Sequence, residues 1–128
     1  MAHSLQQALA DFGRDIGLPL LEPRADGGVQ LRLESGALLG VVQDGEAVVV
    51  HWAEPVRYDI PALVLRAMKA SGDVRGAALP VQVGLRSTTS ADWLVLATRF
   101  AAEEASARRI REAADFLRQW FASLGGAH

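Results

Sequence analysis

Between residues 29 and 53 the chain has little choice but to form antiparallel strands. Val29, Leu31 and Leu33 alternate with Gln30, Arg32 and Glu34, the period-two pattern of a half-buried strand. Ser35-Gly36 is a short turn, and Ala37 to Gln43 reads as a second strand. Asp44-Gly45 is a two-residue hairpin signal, because tight primed turns need positive φ at their centre. Glu46 to Ala53 is a third strand, dense in the β-branched Val48, Val49 and Val50 and stopped by Pro55. Such a meander cannot bury its apolar face alone, so the rest of the chain must supply a cover.

The flanking segments supply it. Leu5, Leu9, Phe12 and Ile16 recur at helical spacing after Ser4, which is placed to cap a first helix; Gly17 ends the pattern and Pro19 prevents its return. Residues 21–28 are a loop. A second helix follows Pro61 and runs to about Ser71, with Gly72 as its stop. Residues 73–78 are a loop. Leu79, Val81, Val83 and Leu85 mark a fourth strand, where Pro80 favours a strand start or an edge. After a turn at 87–92, Trp93 to Phe100 is a fifth strand. A final helix over Glu103 to Leu124 turns Ile110, Ala114, Leu117, Phe121 and Leu124 inward. Glu104–Arg108, Arg108–Glu112 and Arg111–Asp115 are spaced four apart on its wet side. The expected fold is α+β, in the order α-β-β-β-α-β-β-α, a twisted antiparallel sheet with helices packed on it. The 128 residues form one domain, long enough to bury roughly two-thirds of the unfolded surface.

The second helix is the anomaly. Ile60, Leu63, Val64, Leu65, Ala67 and Met68 leave only Arg66 and Lys69 as charges. A helix apolar on most sides is buried on most sides, and a domain this small covers one of them. Its other face is expected to meet a second subunit.

Composition closes several routes to function. Without cysteine there are no disulfides and no thiolate metal sites, which suits a reducing cytosol. Thirteen Lys+Arg against fifteen Asp+Glu, a formal net charge of -2, provide no basic surplus for nucleic acid. Asp11, Arg14 and Asp15 interrupt the first helix, so it does not read as a signal peptide, and no apolar run approaches a membrane span.

A search for chemistry finds none. His3, His51 and His128 have no partners at ligand spacing, and His51 reads as a plain strand histidine. Gly36 and Gly40 lie in a hairpin with no Gly-Lys-Ser/Thr after them. The hydroxyls at 87–90 lack a nucleophile elbow. Glu103 and Glu104 suit the first turn of a helix, and Arg108 and Arg109 a solvated helix face. Trp52, Trp93 and Trp120 have no basic groove beside them and read as core or interface. The expectation is a protein with no catalytic residues, no cofactor and no metal. Its surplus apolar surface, the second helix and the outward sides of strands two and three with Trp52, points to protein–protein contact.

FGRDIGLP at 12–19, VQLRLESGALLGVVQDGEAVVVHWA at 29–53, GAALPVQVGL at 76–85 and WLVLATRF at 93–100, in this order of elements, resemble the class I type III secretion chaperones. Within that CesT/SycE-like family the resemblance is to the SycN-like branch, which serves YopN-type gatekeepers. It covers nearly the whole chain, on pattern and order rather than on a catalytic signature. It implies a cytoplasmic protein at the inner face of the secretion apparatus. It implies a function of holding the N-terminal segment of a secreted gatekeeper or effector in export-ready form. It implies a dimer through the second helix and fourth strand: Leu63, Val64, Leu65, Met68, Leu79, Val81 and Val83. The partner is a second copy or a related YscB-like chaperone. The client segment would lie in grooves near the first helix and its neighbouring strands, for which Leu5, Leu9, Phe12, Ile16, Leu31 and Leu33 are the candidates. Leu9 and Leu31 serve equally well as plain core. The competing classes are a small enzyme or ligand-binding domain, which would need a polar constellation around His51, and a dimeric adaptor with no secretion role.

A dimer built on the second helix is open to direct test. Val64→Glu or Met68→Glu places an unpaired charge in the contact and is expected to reduce the light-scattering mass towards that of a single chain. An unchanged dimer in both variants would remove the helix from the interface.

Overall fold

A computed structural model describes residues 5–17, 28–33, 35–56, 62 and 81–125. Helix α1 spans Leu5–Asp15. Five strands follow: β1 Val29–Arg32, β2 Leu38–Asp44, β3 Ala47–Val56, β4 Gln82–Ser87 and β5 Asp92–Ala101. A 3-10 turn, Ala102–Glu104, leads into the long helix α2, Ala107–Gly125. The architecture is α+β, with one antiparallel sheet in the order β1-β2-β3-β5-β4. The meander β1-β2-β3 is as expected. β5 then inserts between β3 and β4, which leaves β3 and β4 parallel to each other and β4 on an edge.

One face of the sheet carries the core. Leu39 and Val41 of β2, Val48, Val50 and Trp52 of β3, and Leu94, Leu96 and Phe100 of β5 are buried on it. Ile110, Ala113, Ala114 and Leu117 of α2 close over them, and α1 packs on α2 through its buried Ala8, Leu9 and Phe12. Ala113 and Ala114 are buried between Ile110 and Leu117, both 0% exposed. Gly13, a weak helix former, is itself buried, so packing compensates for its poor propensity. Gly17 takes φ 84° and its N–H bonds to the Arg14 carbonyl, which stops α1 where the sequence indicated.

Several boundaries differ from expectation. The final helix does not begin at Glu103. Glu103 and Glu104 lie in the 3-10 turn, and Ser106 is the true cap, its Oγ accepting from the Arg109 N–H at 3.0 Å. Of the expected wet-side pairs, Arg108–Glu112 forms at 3.0 Å; Arg109–Glu112 and Arg118–Asp115, spaced three apart, take the place of the others. β3 does not stop before Pro55 but continues to Val56, pairing Pro55 with Trp93. Pro55 lies beyond the end of the β2 ladder at Leu38↔Ala53, on a free strand edge where a missing donor is tolerated. The hairpin centre is Gly45-Glu46 rather than Asp44-Gly45, because Asp44 pairs with Ala47; Gly45 has φ 61°. The second helix at 60–71, apart from Ala62, lies outside the described residues, as do Ser4, Pro19, Leu79 and Pro80.

Two substitutions test this packing. Ser106→Ala is expected to cost about 1 kcal/mol in urea unfolding, with Ser106→Asp near neutral. Leu117→Ala should cost about 2–5 kcal/mol, because it empties a fully buried site between α2 and the sheet. Equal, small effects at both positions would contradict the arrangement.

Candidate functional site

Strand periodicity gives the sheet a second face, turned away from α1 and α2. Directly paired residues share a face, so the register assigns it. Gln30 pairs with Gly40, Gly40 with His51, His51 with Ala97 and Ala97 with Gln82, forming one row across all five strands. The next row runs Arg32, Leu38, Ala53, Val95 and Gly84. Val42 and Val49 flank the first row on one side; Trp93 opposite Arg86 closes the second.

Small residues in the middle of these rows and larger ones around them produce a concavity of about 590 Å³. His51, Leu38, Val42, Ala53, Trp93 and Val95 line it, all only half-buried by the described fold. Gly40 has a steric role here: a Cβ at this position would lie 3.4 Å from the His51 Nδ1. His51 thus rests against bare backbone. Burial of the imidazole holds its pKa below the ordinary value, which favours the neutral ring. The ring lies in a row with Gly40 and Ala97, between Val49 and Ala53 on the same strand face. Among the described residues no cluster of three His, Asp or Glu side chains is placed to hold a metal, and no helix is long and apolar enough to cross a membrane.

Polar groups on this face are spread along the trough rather than gathered. Arg99 pairs with Asp44 at 3.3 Å at one end. Thr88 braces the β4–β5 turn through the Ala91 carbonyl at 2.9 Å, while Ser87 donates to Asp92 at 2.6 Å on the helix side of the same two strands. The hydroxyl stretch at 87–90 is thereby a built turn.

The structure distributes the expected client residues over two environments. Leu9 and Phe12 are core, 5% and 3% exposed. Leu5, Leu31 and Leu33 are partly buried against that core, and Ile16, just past the end of α1, is 40% exposed. Val29 and Leu31 stand on the α1–α2 side of β1, opposite Val41 and Leu39. Of the expected dimer residues, Val81 and Val83 are partly buried beside the core at the β4 edge; Leu63, Val64, Leu65, Met68 and Leu79 lie outside the described residues. Trp52 does not lie on the outward side of its strand. It is 5% exposed in the core, its Nε1–H donating to Glu54 Oε2 at 2.8 Å, and Trp93 is the tryptophan of the open face. Strand parity misled there because both faces of β3 are apolar. Leu85 escaped notice as a surface residue: it stands on the helix side opposite Leu94 yet is 48% exposed, because β4 is the sheet edge.

No protein-family model matches the chain, and a search of curated proteins finds no significant relative. Solved structures do share the fold. A chain of the HopA1–SchA chaperone–effector complex superposes with a TM-score of 0.72 at 16% identity, over 95% of this chain and 93% of that one. A chain of the complex between the Yersinia pestis type III secretion chaperone SycH and a stable fragment of YscM2 gives 0.65 at 10% identity, over 94% and 99%. YbjN from E. coli, a proposed transcription regulator, gives 0.63 at 14% identity, over 92% and 89%. The five-stranded antiparallel sheet with the two described helices matches the fold of the type III secretion chaperones over nearly the full length of both chains.

Proposed function

We propose that this protein is a type III secretion chaperone that binds the N-terminal segment of a secreted gatekeeper or effector and keeps it competent for export. The observation that carries the reading is the near-complete superposition, over 95% and 94% of this chain, on structures of chaperones held in complex with protein partners. Within this reading the protein is SycN-like and cytoplasmic. It acts as a homodimer or beside a related YscB-like chaperone, through the apolar 60–71 segment and the β4 edge.

A chaperone for an unfolded segment needs apolar contact without a shape that demands a folded partner. The end of α1 and the neighbouring β1 side of the described sheet meet that need. Ile16 is exposed, and Leu5, Leu31 and Leu33 keep part of their surface outside the core. An extended client segment would bury these side chains. Leu9 and Phe12 support the groove from beneath, as core.

A second reading, a dimeric adaptor or ligand-binding domain without a secretion role, is favoured by the likeness to YbjN, which shares the fold at a similar score. Co-purification from the native host separates the two. A secreted protein recovered with its N-terminal segment shielded from protease supports the chaperone; a folded regulatory partner and no secreted protein supports the adaptor.

The groove assignment predicts a further result. In a calorimetric titration with the client's N-terminal segment, Ile16→Glu and Leu5→Gln should each weaken binding by about tenfold or more, the loss of one buried aliphatic contact. Circular dichroism confirms that the variants fold. Unaltered affinity in both would place the client elsewhere.

A further inference from the structure

We draw no further inference here: the strongest candidate, the apolar trough on the sheet face opposite α1 and α2 that His51, Arg86 and Trp93 help to line, carries none, because nothing among the described residues shows what covers it.

Discussion

The contact between α2 and the inner face of β3 and β5 is what the rest of this molecule stands on. Ile110 and Leu117 are fully buried against Val48, Val50, Leu94 and Leu96, also fully buried. These six aliphatic side chains come from the chain's middle and its end. Burying each such side chain contributes about 1.5–3 kcal/mol, set against the entropy of ordering a long chain. Take α2 away and α1 loses the surface it packs on, since its principal neighbour is that helix. The sheet would then have two apolar faces and no cover.

That dependence explains why the protein is two-sided. Covering one face of the sheet consumes both described helices. The opposite face, with His51, Val49, Val95 and Trp93, is as apolar as many cores yet only half-buried. The chain tolerates His51 there by setting Gly40 beneath it. A histidine, two valines and a tryptophan beside glycines give this face its apolar character.

Local rules read the chain well where one interaction dominates. Gly17 stops α1 because only glycine adopts its φ of 84° without strain. Asp44-Gly45 signals the hairpin correctly, though its centre falls one residue later because the ladder, not the dipeptide, decides which residues pair. Pro55 reads as a stop because proline breaks ladders; it does not stop β3 because β2 has already ended there. Glu103 and Glu104 look like a helix start, but Ser106 makes the capping bond and the acidic pair is left in the 3-10 turn. In each case a non-local partner overrules the local preference.

From its residues alone the chain determined the order and type of its described elements, the meander and the inner stripe of the last helix. Those properties follow from periodicity and side-chain chemistry, which are local. The tertiary structure alone decided that β5 lies between β3 and β4, that Trp52 is core while Trp93 faces outward, and that Leu9 and Phe12 are core while Ile16 is exposed. Residues far apart in the chain become neighbours only through strand register, and β3, apolar on both faces, carries no mark of which side will be covered. The helices settle that by packing on one of them.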